Sequence, residues 1–69
     1  MRLSARNQLT GTVISVTRGP VTSLVKVDVG GDQHISATLT TEAADDLGLV
    51  VGATVATIFK ASAVIIGVE

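Results

Sequence analysis

The sequence predicts an all-β protein, a small barrel of five strands with one short helix between the third and the fourth strand. Hydrophobic residues make up 46% of the 69-residue chain, and they are mostly Val, Ala, Ile and Leu, of which the β-branched ones suit strands. Two segments alternate apolar and polar residues. Turn-forming residues divide the chain into short pieces at residues 18–20, 30–32, Gly48 and Gly52, as is typical of a small barrel.

The two alternating segments predict a β-hairpin. Valine occupies every second position in residues 25–29, and apolar residues again occupy every second position in residues 34–39. Because side chains of a strand point alternately to its two faces, each segment should bury one face. Gly30 and Gly31 between them can adopt the positive φ that a tight hairpin turn needs.

Three further segments are predicted strands, although they do not alternate cleanly: residues 9–17, 53–59 and 63–68. The last of them is apolar on both faces, and such a strand must be covered on both faces. A chain of this length buries only a modest core. A subunit interface is the simplest cover, so the sequence predicts more than a monomer.

One short helix is predicted after residue 39. Thr40 or Thr41 can cap its start, and Gly48 can end it in the left-handed conformation. The predicted apolar face comprises Ala43, Ala44 and Leu47. The predicted element order is three strands, a short helix and two strands, which is the order of an OB-like Greek-key barrel. Residues 1–69 are predicted to form a single domain.

The composition argues against several functional classes. The chain has no cysteine and one histidine, so neither a disulfide nor a cysteine or histidine metal cage is expected. The net charge is −1 and Phe59 is the one aromatic residue, whereas nucleic-acid-binding OB domains use a basic groove and aromatic platforms. Such a module remains an alternative, as does an oligomeric scaffold without a ligand.

The ionisable residues do not predict an enzyme. Asp45 and Asp46 are adjacent on the predicted helix, where a solvated face is the simpler interpretation. His34 lies on a predicted strand without a marked nucleophile or orienting partner. No apolar run reaches transmembrane length, and residues 1–4 lack an apolar signal region. We therefore expect a cytoplasmic protein that is not an enzyme and holds no cofactor or protein-ligated metal.

Two short stretches are rich in hydrogen-bond donors and poor in charged acceptors. Residues 4–8 read Ser-Ala-Arg-Asn-Gln, and residues 60–62 read Lys-Ala-Ser. A tetrahedral oxyanion requires this kind of environment, one or two positive charges together with several neutral donors, and backbone N–H groups at Ala5 and Ala61 could add to them. From residue types alone, a solvated terminus and a plain turn remain the alternatives.

These stretches belong to an ordered set of motifs that resembles a molbindin, a Mop-type domain. The set also contains Gly19-Pro20-Val21, Leu47-Gly48-Leu49 with Gly52, and Ile66-Gly67-Val68, and it extends from Leu3 to the C-terminus. The resemblance implies an OB-like barrel that binds molybdate, and often tungstate, for storage, buffering or homeostasis of molybdenum. It also implies a hexamer, a trimer of dimers, with oxyanions held between subunits.

The resemblance also implies roles for particular residues. Ser4, Arg6 and Asn7 match the first binding motif of the family, Lys60 and Ser62 match the second, and Ala5 and Ala61 are expected backbone donors. Gly19, Pro20 and Val21 match a loop that contributes backbone contacts. Pro20 departs from the usual Ala or Val, and because proline has no N–H a donor is lost there. Thr38 and Thr40 are weaker candidates.

Overall fold

The structure, a computed structural model, describes residues 2–69. It is all-β apart from one α-helix and one turn of 3-10 helix, and the α-helix lies between the third and the fourth strand, as predicted. The elements are β1 (Asn7–Arg18), β2 (Thr22–Gly30), β3 (Gln33–Thr40), α1 (Thr41–Asp46), β4 (Thr54–Phe59) and the 3-10 turn (Ala61–Ala63).

The four strands form one antiparallel sheet in the order β3-β2-β1-β4, which curls into a half-barrel. The long β1 pairs with β4 along its first half and with β2 along its second half. Gly11 lies where the two pairings meet, and a Cβ there would stand 2.4 Å from the carbonyl oxygen of Asp28. Only glycine therefore allows β1 and β2 to approach so closely at this point.

The core lies inside the curl of the sheet. Val13, Val25 and Val27 are its buried residues, and Val29 and Leu39 pack against them. The buried face predicted for β2 is therefore confirmed. On β3 the prediction holds for Leu39 but not for Ala37, which is exposed because it lies on the open side of the half-barrel.

The hairpin between β2 and β3 forms as predicted. Gly30 and Gly31 have φ values of +93° and +59°, and Asp32 follows with φ +60°. The backbone N–H of Gly30 donates to the Asp28 carboxylate at 2.8 Å. A tight turn with positive φ thus joins the two strands.

The short helix begins and ends where the sequence predicts. The Ala43 backbone N–H donates to the Thr40 hydroxyl at 3.1 Å, which makes Thr40 the N-cap, and Gly48 has φ +65°. Ala44 is buried, whereas Leu47 is exposed, contrary to the predicted apolar face. The helix ends at Asp46, so Leu47 follows it and lies on the open side of the half-barrel.

The predicted fifth strand over residues 63–68 is not formed within this chain. After the 3-10 turn, residues 64–69 have no strand partner, and the sheet has four strands. A strand requires a free edge to pair with, and residues 64–69 pair with neither β3 nor β4. The five-stranded closure therefore does not occur in the isolated chain.

No helix within residues 2–69 is long and apolar enough to cross a membrane.

Candidate functional site

The two donor-rich stretches meet at one end of the β1–β4 pair. Asn7 is paired with Phe59 in antiparallel register, so the residues that precede β1 lie beside those that follow β4. They line one open cavity of about 210 Å³. Its lining residues are Ser4, Ala5, Arg6, Lys60, Ala61 and Ser62.

The 3-10 turn shapes one wall of this cavity. The Ala63 backbone N–H donates to the Lys60 carbonyl at 2.9 Å, which places Ser62 on a tight turn directly beyond β4. The first N–H groups of such a turn have no carbonyl within it to bond to. Those of Ala61 and Ser62 are therefore available as donors beside the Ser62 hydroxyl and the Lys60 ammonium group.

The charge of the cavity is positive. Arg6 and Lys60 supply two cations, and no carboxylate is among the lining residues. Within residues 2–69 the one ion pair joins Arg18 to Asp45, so neither cavity cation is neutralised by a carboxylate of the described chain. Both are exposed. The arrangement favours an anion that arrives from solvent and accepts several hydrogen bonds.

Asn7 is adjacent to the cavity but does not line it. It is the first residue of β1, half-buried and paired with Phe59. Of the seven binding residues predicted in the two stretches, the structure brings six together in the cavity wall, Ser4–Arg6 and Lys60–Ser62, and Asn7 follows Arg6 as the first residue of β1.

A family model for the TOBE domain matches residues 3–66. The chain belongs to the TOBE domain family. Within it the chain is molbindin-like, since it is 44% identical over 69 residues to a "Probable molybdenum-pterin-binding protein" of Haemophilus influenzae, with all of both chains covered.

Solved structures agree with this assignment. MopII from Clostridium pasteurianum superposes with a TM-score of 0.91 at 31% identity, covering 97% of this chain and 100% of that one. The molybdate-bound form of ModG, described as a cytoplasmic molybdate-binding protein, gives a TM-score of 0.95 at 45% identity. This match covers all of this chain and 49% of the ModG chain, so this chain spans about half the length of ModG. The OB-like fold is consistent with these neighbours.

The loop of this TOBE domain at Gly19–Val21 lies at the opposite end of β1 from the cavity. The Gly19 N–H donates to the Thr22 carbonyl at 2.9 Å, and the Val21 carbonyl accepts from the Thr41 N–H at 2.8 Å. The Thr41 hydroxyl donates to the Gly19 carbonyl at 2.7 Å. The carbonyls of Gly19 and Val21 therefore bind Thr41 at the start of α1, and Pro20 has no N–H to donate. Within one chain the loop does not join the cavity lined by Ser4–Arg6 and Lys60–Ser62.

The weaker candidates are also separate from the cavity. Thr40 caps α1 with its hydroxyl, as the sequence allowed. Thr38 lies on β3 opposite Leu24 and is not among the cavity residues. Neither therefore adds a donor to the cavity of the same chain.

Sequence reasoning missed the contacts that join the β1–β2 loop to α1. Arg18 forms two hydrogen bonds to the Asp45 carboxylate, at 2.5 and 3.0 Å. These bonds lower the pKa of Asp45 and raise that of Arg18. The buried Ser23 shares a hydrogen bond with the Thr41 hydroxyl at 2.7 Å. The partners are 27 and 18 residues apart, so no local spacing indicated them.

The acids and His34 form no metal centre in the described chain. Between residues 2 and 69 no three His, Asp or Glu side chains lie close enough together to hold a metal ion.

Proposed function

We propose that this protein binds molybdate, as the intact oxyanion, in the cavity formed by Ser4–Arg6 and Lys60–Ser62. One observation supports the proposal most. Two donor-rich stretches from opposite ends of the chain line the same cavity, with two cations and no carboxylate. The molybdenum-pterin-binding relative and molybdate-bound ModG support the choice of anion.

The chemistry of the cavity suits a dianion without a proton. Desolvating a dianion is costly unless several donors and cations compensate for the lost hydration. Arg6 and Lys60 provide the charge, the hydroxyls of Ser4 and Ser62 donate, and backbone N–H groups at Ala5 and Ala61 can complete the set. Hydrogen phosphate carries a proton that needs an acceptor, and no carboxylate lines the cavity to accept it.

We further propose that the complete site is shared between subunits. Of the cavity residues only Ala5 is partly buried, and the others are exposed. One chain therefore surrounds an anion incompletely, and a second subunit would add donors and exclude water. The assembly proposed from the molbindin resemblance is a hexamer built as a trimer of dimers. Tungstate, a tetrahedral dianion like molybdate, would occupy the same site.

The biological role that follows is cytoplasmic storage or buffering of molybdate, a part of molybdenum homeostasis without catalysis. Binding and release by hydrogen bonds leave the oxyanion chemically unchanged. Neither a membrane nor nucleic acid is a proposed partner. The alternative with support in the structure is a ligand-free oligomeric scaffold, because large apolar side chains of the C-terminal residues are exposed.

Calorimetric titration of the metal-free protein with sodium molybdate tests the proposal, with sulfate as the control. We expect saturable heat with molybdate and none with sulfate at the same concentration. Tungstate should behave as molybdate does. Absence of heat with both molybdate and tungstate, from a folded oligomer, would refute anion binding and favour the scaffold.

A further inference from the structure

The end of the β1–β4 pair determines how the two walls of the cavity face each other. Asn7 and Phe59 form the last residue pair of these strands. The walls, Ser4–Arg6 and Lys60–Ser62, lie directly beyond that pair and line the cavity. Within residues 2–69 no backbone hydrogen bond joins one wall to the other. Their alignment therefore depends on how firmly the two strands are held in register.

Thr57 places a hydroxyl on the otherwise apolar inner face of β4. Val55, Thr57 and Phe59 occupy alternate positions on the half-buried face of this strand, and all three lie on the open side of the half-barrel. Valine has nearly the same shape as threonine and carries no polar group that must be satisfied. A hydroxyl at this position is therefore not explained by packing.

The hydroxyl of Thr57 bonds to the backbone of β1. It donates to the Leu9 carbonyl at 2.9 Å, and Leu9 lies directly opposite Thr57 in the register. Within the described residues no other side chain forms a hydrogen bond between β1 and β4. Leu9 lies three residues after Arg6, and Thr57 lies three residues before Lys60. At roughly 3.3 Å per residue, the bond is about 10 Å from each wall.

We propose that Thr57 is a positioning residue for the cavity, an inference that rests on the proposed molybdate site. A slip of the β1–β4 pairing by two residues would displace one wall by roughly 7 Å, and fraying of the last pairs would separate the walls. The bond from Thr57 to Leu9 opposes both changes because it fixes one residue pair. Thr57 does not line the cavity, so it acts through the alignment of Arg6 and Lys60.

The first test measures the strand ends without any oxyanion. Nuclear Overhauser effects between backbone protons of Asn7 and Phe59 report whether the last pair is formed. We expect them at full strength in the unsubstituted protein and in Thr57→Ser, which keeps the hydroxyl, and weaker in Thr57→Val. Thr54→Val is the matched control and should keep them, since Thr54 is exposed on the same strand and pairs with Thr12 at the far end.

Two results of this first test would overturn the proposal. Undiminished Overhauser effects in Thr57→Val would mean that the hydroxyl is dispensable for the alignment. A Thr57→Val protein that does not fold would mean that the hydroxyl is required for the fold as a whole.

The second test compares molybdate affinity with stability. Loss of one hydrogen bond should raise the Kd of Thr57→Val about 3- to 10-fold, whereas Thr57→Ser and Thr54→Val should bind as the unsubstituted protein does. In urea unfolding without an anion, Thr57→Ser should be less stable than Thr57→Val because it loses a methyl group and a β-branch from a strand. Affinity and stability should thus rank the two variants in opposite order, which a merely structural role does not predict.

Different results refute the molybdate site and the positioning role. Absence of heat with molybdate from the unsubstituted protein would refute the site, and the Overhauser effects would still decide whether Thr57 aligns the strand ends. Saturable heat with the same Kd in Thr57→Val as in the unsubstituted protein, or a Kd that follows stability across the variants, would refute the positioning role and leave the site in place.

Discussion

At the scale of single residues, Gly11 allows β1 to approach β2 closely. A Cβ at this position would lie 2.4 Å from the Asp28 carbonyl oxygen and 2.7 Å from a Val27 methyl. The first of these contacts is with backbone, which cannot move without disturbing the β1–β2 pairing. The position of glycine within β1 therefore allows this strand to pair with β4 and then with β2.

Gly11→Ala should destabilise the protein. Alanine in a strand is ordinarily favoured over glycine by roughly 0.5–1 kcal/mol, but overpacking against backbone costs about 1–3 kcal/mol. We expect a net loss in the free energy of unfolding, measured by urea denaturation at fixed protein concentration. Thr10→Ala, at the exposed neighbouring position, is the control and should cost less than about 1 kcal/mol. A Gly11→Ala protein as stable as the unsubstituted one would disprove the close approach.

At the scale of elements, the β1–β2 loop and α1 hold one another in place. The Thr41 hydroxyl and N–H bond to Gly19 and Val21, and Arg18 pairs with Asp45. These contacts use polar groups of a loop that the molbindin resemblance assigns to oxyanion contacts. In this chain the loop has a structural role as well.

The Arg18–Asp45 pair predicts a small dependence of stability on pH. Because hydrogen bonds from Arg18 lower the pKa of Asp45 in the folded state, the stabilisation is present above the ordinary carboxyl pKa. It is lost as the pH falls through the lowered value. The pair is exposed, so salt should weaken it. The unfolding midpoints of the variants are measured from pH 7 to pH 3. Asp45→Asn should lose this part of the decrease in stability with falling pH, and the control Asp46→Asn should keep it. Identical pH profiles for the two variants would exclude the contribution.

Much of the element order could be predicted because it depends on local chemistry. The valines at every second position of residues 25–29 indicated a buried face, and the Thr40 cap and Gly48 end marked the helix. Residues 63–68 show the limit. Their apolar character predicted a strand that needs cover, but in the described chain they are exposed and pair with neither free edge of the sheet. The Arg18–Asp45 contact depends on tertiary geometry that no spacing reveals.

The candidate site was predictable in part for the same reason. The donor-rich composition of residues 4–8 and 60–62 indicated an anion, and their proximity is a consequence of the β1–β4 register. Asn7 shows what composition cannot resolve. Its amide is as suitable a donor as its neighbours, but its place within β1 leaves it out of the cavity wall.

At the scale of the whole molecule, anion binding and stability should be linked. A ligand that binds only the folded assembly raises its stability by about 2.7 kcal/mol at a free concentration of 100 times its Kd. We expect molybdate to raise the thermal unfolding midpoint at fixed protein concentration. Sulfate at the same ionic strength should raise it less. Equal shifts with both anions would indicate a general salt effect instead of a specific site.

The most direct test of the proposed site compares the molybdate affinities of Lys60→Ala and Lys26→Ala by calorimetry. Both lysines are exposed, but only Lys60 lines the proposed molybdate cavity. Loss of a charge-assisted hydrogen bond costs roughly 1.5–3 kcal/mol, so Lys60→Ala should raise the Kd about 10- to 100-fold, while Lys26→Ala leaves it unchanged. Equal affinities of the two variants would contradict the assignment of the cavity as the molybdate site.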